Sequence, residues 1–216
     1  MPLPLIVPIL VAATTGAAVH TPKKLKNIGV KKKAWLDSFM ATAKNICDWY
    51  GVPYQMCVTQ AALESGWGEK APKFNHFGIK GEGSAGFSSA TGKEFIGGQY
   101  VAKVMKFAAY KSLEDAIQAY CNAMKNNPKF QYATAHFSNN LNKFIIWIWG
   151  KGYATAPDYV YTFFGVMSVI YRATGNEDFN RKLTPQDVAM IKKLKGKVAG
   201  QQRSSLTESL LKVQTV

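Results

Sequence analysis

The feature that most constrains the fold of this chain is a change of patterning between Gly66 and Gly98. On either side of this stretch, apolar residues recur at the spacing of amphipathic helices. Within it the helical period disappears, and glycine, serine and threonine become frequent. Such a composition favours turns and short strands. The sequence therefore predicts an α+β fold that is mainly helical, with one small β element and a cleft between the two parts.

Six helices and one hairpin are predicted from apolar spacing and end signals. Gly66 is placed to cap the second helix, and Ser112 is a typical N-cap with acidic residues after it. The run 144–149 is apolar on every side, which predicts a buried helix. The predicted helices span residues 34–50, 53–65, 112–124, 140–149, 157–173 and 185–194, and the predicted hairpin strands span 93–95 and 100–107.

The chain carries a strong positive charge of +14, from 27 basic and 13 acidic residues. Such a charge attracts a polyanion over a long range, and salt is expected to weaken the attraction. Cell-wall polymer, a membrane surface and nucleic acid all fit, and so does a basic surface without a partner. Because no nucleic-acid-binding motif is present, no specific nucleic acid is predicted as a partner.

Neither a metal nor a cofactor is predicted. Cys47, Cys57 and Cys121 are odd in number and lack the CxxC or Cys/His spacing of a zinc site, so we expect buried free thiols. No HExxH, GxSxG or glycine-rich phosphate loop occurs in the chain. Metal, phosphate-loop and serine-hydrolase chemistry are therefore not expected.

A single carboxylate, Glu64, follows an uncharged run over residues 52–63. On a helix it shares a face with Gln60 and Ala61, which solvate an anion poorly, so the pKa of Glu64 is expected to rise. A carboxyl group that stays protonated near neutral pH is suited to act as a general acid on a glycosidic oxygen. The alternative is an ordinary glutamate exposed at a helix end beside Gly66.

Two motifs lie at and after this glutamate: AALESGWG over residues 61–68 and NHFGIKG over residues 75–81. Together they resemble the bacterial and phage glucosaminidases of glycoside hydrolase family 73. The resemblance extends through residues 110–112 and 152–159 and covers about residues 36–172. It implies a lysozyme-like fold, cleavage of the glycan strand of peptidoglycan, and Glu64 as the catalytic acid.

Three positions depart from the family pattern. His76 stands where leucine is common, Ala109 interrupts the usual Phe-Arg-x-Tyr-x-Ser run, and Ala156 replaces a frequent aspartate. None of these changes affects Glu64. They alter the expected contacts with sugar or peptide, because a lost arginine or aspartate removes hydrogen bonds to the substrate.

A glycosidase also needs a base that activates water or a nucleophile that captures the sugar. The resemblance implies a carboxylate on the β-hairpin, and Glu94 occupies that place in the chain. A solvated hairpin glutamate is the alternative. Glu82, on a glycine-rich loop, is the next candidate. The 2-acetamido group of the substrate could instead act as an internal nucleophile, so the stereochemical outcome stays open.

The remaining site residues follow from the resemblance. Tyr153 matches a tyrosine beside the acid, where its phenol could hydrogen-bond the acetamido group or order the water, and a core tyrosine is the alternative. Aromatic rings stack on the apolar faces of sugars, although core packing fits Trp67 better. The predicted substrate-binding residues are Trp67, Asn75, Phe77, Gly78 and Tyr159.

We expect three regions: an N-terminal segment with a basic linker (1–33), a glucosaminidase catalytic domain (34–175) and a helical C-terminal extension (176–216). Residues 2–19 are uncharged, and a lysine-rich segment follows them. This part is interpreted as a signal peptide, a short membrane anchor or a hydrophobic tail, since three prolines interrupt any regular helix. If it spans a membrane, the lysines place the following domain on the cytoplasmic side.

The predicted function is that of a peptidoglycan hydrolase of the N-acetylglucosaminidase type, with peptidoglycan glycan strands as its partner. A lytic transglycosylase shares the fold and the single glutamate but closes an anhydro ring. An inactive, membrane-anchored wall-binding protein is the third interpretation, and the retained Glu64 and Glu94 argue against it. The expected location is the cell wall or extracellular space, the membrane or a virion, in phage entry, lysis or wall remodelling.

Overall fold

The structure, a computed structural model, describes residues 28–96, 99–154, 156–195, 207–208 and 210–211, and residues 92–96 and 99–103 through their backbone alone. Within these ranges the chain forms seven α-helices and one two-stranded antiparallel sheet. In chain order the elements are α1 (Val30–Tyr50), α2 (Tyr54–Ser65), β1 (Phe87–Ile96), β2 (Gln99–Ala108), α3 (Leu113–Asn126), α4 (Gln131–Phe137), α5 (Leu141–Gly150), α6 (Tyr159–Thr174) and α7 (Pro185–Lys195).

These elements confirm the predicted mainly helical α+β fold. All six predicted helices are present, and α1 begins at Val30, four residues ahead of its predicted start. Gly66 ends α2 in the left-handed conformation at φ 60°, as predicted. The prediction missed α4, which has seven residues and follows Phe130, an N-cap without a side-chain hydrogen bond. Without a capping residue, nothing in the sequence marks where this helix begins.

The β-hairpin is longer than predicted on its first strand. β1 begins at Phe87 instead of residue 93 and pairs with β2 in unbroken antiparallel register, from Phe87–Ala108 to Ile96–Gln99. Serine and glycine in β1 interrupt the alternation of apolar and polar residues that predicts a strand. The strand forms nevertheless, because β2 supplies its ladder hydrogen bonds. At about 3.3 Å per residue, each strand extends roughly 30 Å, so the Ile96–Gln99 pair lies far from the Phe87–Ala108 pair at the base of the hairpin.

The core lies between the helices as one contiguous set of buried apolar side chains. Trp147 and Trp149 of α5 are buried, which confirms the predicted buried helix. Phe179, Ile191 and Leu194, from the predicted C-terminal extension, join the same core with no exposed surface. Since burial of one such side chain contributes roughly 1.5–3 kcal/mol, packing holds α7 against α5.

The three cysteines belong to this core. Cys47, Cys57 and Cys121 are buried free thiols, as predicted, and the Sγ atoms of Cys47 and Cys121 lie 3.7 Å apart. Among the described residues, no group of His, Cys, Asp and Glu is arranged to hold a metal ion. The cysteines therefore contribute as small apolar side chains.

The apolar residues 2–19 lie outside the described residues, so their interpretation as signal, anchor or tail stays a prediction. In the part of the chain that the structure covers, no helix is both long and apolar enough to span a bilayer. The three-region division of the chain also stays a prediction.

Candidate active site

Glu64 stands at the C-terminal end of α2, where the chain leaves the helix in a fixed turn. Gly66 adopts a positive φ that residues with a Cβ tolerate poorly. The backbone N–H of Gly68 then donates to Ser65 Oγ at 2.8 Å. The helix end and this hydrogen bond hold the backbone of the ESGWG segment, so Glu64 is presented from a rigid position.

The surroundings of the Glu64 carboxyl group disfavour its charge. The residue is 5% exposed, which excludes the alternative of an ordinary glutamate exposed at the helix end. Burial raises the pKa of Glu64 from 4.5 to about 8, and a hydrogen bond from Tyr159 opposes this rise in part. The rise agrees with the sequence prediction. At neutral pH the group therefore keeps the proton that a general acid must deliver.

A chain of hydrogen bonds links Glu64 to α6 and α3. The Tyr159 hydroxyl donates to Glu64 Oε1 at 3.3 Å and accepts from Gln60 Nε2 at 3.1 Å. Gln60 Oε1 in turn accepts from the Tyr120 hydroxyl. Because all four side chains are buried, each group depends on its partner in this chain. The Gln60 amide therefore directs the Tyr159 O–H towards the carboxyl group. Tyr159, predicted to line a sugar subsite, contacts the acid.

Tyr153 lies beside this network. Its ring centroid is 5.8 Å from that of Tyr159, and the residue has no exposed surface. Burial, and then the nearby Glu64, raise the pKa of Tyr153 well above its ordinary value. Its hydroxyl has no hydrogen-bond partner of acceptable geometry among the described residues. A buried unpaired phenol is costly. Because the hydroxyl has no exposed surface, it meets a substrate amide or a water only if the site opens, so its burial favours the alternative of a core tyrosine, and the substrate contact stays a prediction.

The second motif, residues 75–81, forms a tight turn that packs against the hydrogen-bonded chain between Glu64 and Tyr120. Asn75 donates from Nδ2 to the Ile79 carbonyl at 2.9 Å and accepts from the Ile79 N–H at 3.0 Å. Gly78 adopts a positive φ of 63°. Phe77 is fully buried and stacks on Tyr120, with ring centroids 4.2 Å apart. The three predicted substrate-binding residues that lie in this motif thus build the loop. A direct contact between Phe77 and sugar would require the loop to open, and it stays a prediction.

Trp67 also packs within the protein. It meets Trp35 of α1 edge-on, with ring centroids 6.4 Å apart, and its backbone has a left-handed φ of 64°. A Cβ at the neighbouring Gly68 would lie 2.3 Å from the Trp35 ring, so only glycine fits there. These contacts favour the packing role of Trp67 over a sugar contact, and they keep a strained turn in place beside Glu64.

The two candidates for the second carboxylate lie on the β side of the molecule. Glu94 pairs with Val101 through the backbone, two pairs before the last pair of the ladder, Ile96–Gln99, and its side chain lies outside the described residues. About seven residues of strand, roughly 23 Å, separate it from Phe87 at the hairpin base. Glu82 is exposed on the loop before β1. The assignment of the base or nucleophile therefore stays a prediction.

Known proteins share this arrangement of sequence and fold. The family described as mannosyl-glycoprotein endo-beta-N-acetylglucosaminidase matches residues 40–172, more than half of the chain. The chain belongs to this glucosaminidase family. The matched region contains Glu64, both motifs and the hairpin, and it confirms the family that the sequence resembles.

Named relatives of the glucosaminidase family are similar over the same region. Peptidoglycan hydrolase FlgJ of Escherichia coli strain K12 is 30% identical over 136 residues, which are 59% of this chain and 43% of FlgJ. A probable N-acetylmuramidase of Lactococcus lactis subsp. lactis is 30% identical over 136 residues, 59% of this chain and 31% of that protein. The chain therefore spans less than half the length of these curated relatives.

A solved structure shows the same fold. The catalytic domain of the autolysin Auto from Listeria monocytogenes superposes with a TM-score of 0.59 at 24% identity, covering 74% of this chain and 92% of that domain. The predicted lysozyme-like fold is thereby confirmed. An identity this low establishes the fold alone, so the roles of individual residues rest on the geometry around Glu64.

Two departures from the glucosaminidase pattern fall at backbone contacts. Counted along residues 107–112, the arginine of the Phe-Arg-x-Tyr-x-Ser pattern falls on Ala108 and not on Ala109, which corrects the sequence assignment. The Ala108 N–H donates to the Ile79 carbonyl at 2.8 Å, and the Ala109 carbonyl accepts from the Ala85 N–H at 2.9 Å. The Ala156 carbonyl accepts from Trp149 Nε1 at 2.9 Å and from the Tyr159 N–H at 3.2 Å. A backbone carbonyl is present whatever side chain the residue carries. Ala156 therefore still helps to position Tyr159, although the side-chain contact of the family's aspartate is absent.

His76, the third departure, lies in an aromatic pocket. Its ring centroid is 5.8 Å from that of Trp35 and 5.3 Å from that of Phe39, and its Nδ1 has no partner among the described residues. Burial lowers the pKa of His76 from 6.5 to about 4. The side chain is therefore neutral at physiological pH and fills the place of an apolar residue.

One feature of the site and one exposed aromatic ring were not found from sequence. Gln60 lies four residues before Glu64 on the same helix face, a spacing that pointed to proximity but not to its link with Tyr120. Phe74, on the loop between α2 and β1, is 44% exposed and has a positive φ of 60°. No sequence signal distinguishes the solvent-exposed ring of Phe74 from the buried ring of Phe77.

Proposed function

We propose that this chain is a peptidoglycan hydrolase that cleaves a β-1,4 bond of the glycan strand and leaves N-acetylglucosamine at the new reducing end. The observation that carries the proposal is the buried Glu64 carboxyl group, whose pKa of about 8 keeps it protonated at neutral pH. Membership of the glucosaminidase family and the name of its FlgJ relative support peptidoglycan as the substrate. The net charge of +14 supports attraction to an anionic wall.

In this mechanism Glu64 delivers its proton to the glycosidic oxygen while the bond from that oxygen to the anomeric carbon breaks. The carboxylate that remains accepts the hydrogen bond from Tyr159, which stabilises it. A water then adds to the anomeric carbon, and its proton passes to a second group. We assign that group to Glu94, with Glu82 as the next candidate. In the alternative route the acetamido oxygen of the substrate attacks the anomeric carbon as the bond to the leaving oxygen breaks; water then opens the ring so formed, and the Glu64 carboxylate takes the proton of that water. The Tyr153 hydroxyl, buried in the structure, binds the acetamido group once the site opens to admit the sugar.

The product separates this proposal from three others. The Lactococcus relative is named a probable N-acetylmuramidase, and that specificity would leave N-acetylmuramic acid at the reducing end. A lytic transglycosylase would leave 1,6-anhydromuramic acid, because the sugar closes on its own hydroxyl without water. A protein that only binds the wall would release no new ends. The identity of the new end therefore decides among them.

The experiment is digestion of purified peptidoglycan, followed by borohydride reduction and mass spectrometry of the fragments. We expect ends that contain N-acetylglucosaminitol. Glu64→Gln should lower the rate by about 10²- to 10⁴-fold, because the amide has the same shape but cannot deliver the proton. Glu69→Gln is the matched control, since Glu69 lies five residues away with its side chain 64% exposed, and it should digest at the wild-type rate. Near-normal digestion by Glu64→Gln would overturn the assignment of the acid.

We further propose that the protein acts at the cell wall, in phage entry or lysis or in wall remodelling. Its charge supports contact with an anionic surface, and residues 2–19 offer one route to a membrane. Mass spectrometry of purified virions, membranes and culture fluid from producing cells tests where the protein is located. Enrichment in virions would support a role in entry, whereas enrichment in membranes would support anchoring.

A further inference from the structure

A polar cavity of about 830 Å³ lies at the end of α2 opposite Glu64. Tyr54 at the start of α2 lines the cavity, and the ten residues from there to Glu64 correspond to roughly 15 Å along the helix. The end of α1, the start of α5 and the loop before α7 complete its walls. The cavity is therefore separate from the candidate active site.

Positive charge at this cavity is only partly neutralised. Arg181 and Lys182 line it and form no salt bridge within the described part of the chain, whereas Lys44 pairs with Asp48 at 3.3 Å. The first turn of α2 adds partial positive charge, because Pro53 at its N-cap offers no side-chain acceptor. Two unpaired cations beside a helix N-terminus favour an anionic group in the ligand.

The rest of the lining fits a peptide better than a polyphosphate. Gln55 and Asn139 line the cavity, and their side chains make no hydrogen bond within the described part, so they are placed to pair with peptide groups. The carboxylates of Asp48 and Asp178 also line it and would repel a dense run of phosphates. A ligand that carries both carboxylates and N–H donors matches this mixed surface.

An aromatic cavity of about 670 Å³ continues the polar one, since Gly51 and Ser138 line both. Its walls include Tyr50, Tyr132 and the exposed His136. Rings of this kind pack against the apolar faces of sugars. The combined groove therefore has a charged end suited to a peptide and an aromatic end suited to a sugar ring.

We propose that this groove is a second, non-catalytic binding site for the peptide-bearing part of a glycan strand. A carboxylate of the stem peptide binds Arg181 and Lys182. The adjoining sugar packs on Tyr50 and on the exposed ring of His136, since the Tyr132 ring already packs against His136 and stacks on Trp147. The identity of the polymer rests on the proposed function. A strand held here keeps the protein on the wall between cleavage events, because the site lies away from Glu64.

The test measures calorimetric binding of a soluble disaccharide-peptide to the Glu64→Gln protein, which leaves the ligand uncleaved. Adding Arg181→Gln and Lys182→Gln should weaken binding about tenfold or more, since two charge-assisted contacts are lost. The matched control is Lys192→Gln with Lys193→Gln, which removes the same charge from exposed positions on α7 that do not line the groove. The control pair should leave the affinity unchanged.

Equal affinities of the two double variants would overturn the proposal. With Glu64 intact, the Arg181 and Lys182 pair should digest whole walls more slowly and a short peptide-free glycan at the wild-type rate. Cleavage of that glycan depends on the candidate active site around Glu64 and not on the groove, so failure of the proposed function is seen separately. Displacement of the disaccharide-peptide by a glycerol-phosphate polymer would identify a general anion site and overturn the peptide assignment.

Discussion

The phenolic hydroxyl of Tyr159 donates a hydrogen bond to Oε1 of Glu64 at 3.3 Å, although 95 residues separate the two in the chain. This bond and burial act on the carboxyl group in opposite directions. Burial disfavours the carboxylate and raises its pKa, whereas the phenol stabilises the carboxylate and lowers it. The working pH of the acid is therefore set by the packing of α6 against α2.

Tyr159→Phe should move the alkaline limit of activity to higher pH. In the wild type, kcat/KM should fall as pH rises through about 8, because Glu64 loses the proton it must donate. Removal of the phenol leaves the carboxylate less stable, so the pKa of Glu64 rises further. The measurement is a pH profile of kcat/KM on a soluble glycan. Tyr161→Phe, at a partly exposed position of the same helix, should keep the wild-type profile. An alkaline limit that moves to lower pH would contradict the assigned bond.

Glu64→Gln should stabilise the folded protein increasingly as pH rises. The folded-state pKa lies above the unfolded value of about 4.5, so the stability linked to the protonated carboxyl group is present below that value and is lost as pH rises towards 8. The amide does not ionise and avoids this loss, which is on the order of 5 kcal/mol for a shift of this size. Urea unfolding at pH 4, 7 and 9 measures it. A stability difference that does not change with pH would contradict the buried state of Glu64.

Glu94→Gln should lower hydrolysis strongly if this carboxylate activates the water or captures the sugar. Azide should then yield a glycosyl azide, because a small anion replaces the missing carboxylate. Glu82→Gln, on the exposed loop before β1, is the comparison and should retain most activity. The reverse result would assign the role to Glu82. Retained activity in both variants would favour the substrate acetamido group.

His76→Leu should reduce the sensitivity of the fold to acid. Burial gives His76 a folded-state pKa of about 4 against an ordinary value of 6.5, so its contribution to stability is complete above pH 6.5 and is lost as pH falls towards 4. The loss amounts to about 3 kcal/mol, and leucine avoids it together with the unpaired Nδ1. Unfolding free energies at pH 4 and 7 measure the change. His136→Gln, at an exposed position, should show the wild-type pH dependence.

Salt should lower activity on whole walls more than activity on a short soluble glycan. Attraction between the +14 chain and a polyanionic wall is screened over about 8 Å at physiological ionic strength. The short glycan carries little charge and gains little from this attraction. Rates on both substrates across a salt series provide the comparison. Equal sensitivity would show that the charge does not recruit the protein to the wall.

Local features of the fold were predictable where the sequence carries local signals. The helical period and Gly66 defined α2 and its end, and the Ser112 cap defined the start of α3. The helix α4 and the first half of β1 were not predicted. α4 lacks a capping residue, and residues 87–92 of β1 take their hydrogen bonds from β2. Pairing across a hairpin is not visible in the composition of one strand.

For the candidate site too, the sequence predicted the local features and the tertiary structure decided the contacts between distant residues. The sequence by itself determined the position of Glu64 at the end of an uncharged helical run, because that depends on residues within one helix. The pKa rise that this run predicts comes from burial, which only the packing of the helices produces. Only the tertiary structure decided that the Tyr159 hydroxyl faces Glu64, oriented by Gln60, whose amide oxygen accepts from Tyr120. It also decided that Phe77 is buried whereas Phe74 is exposed. Helical periodicity is a property of neighbours in the chain. Burial and hydrogen bonding instead depend on which distant segments pack together, and no spacing in the sequence encodes that choice.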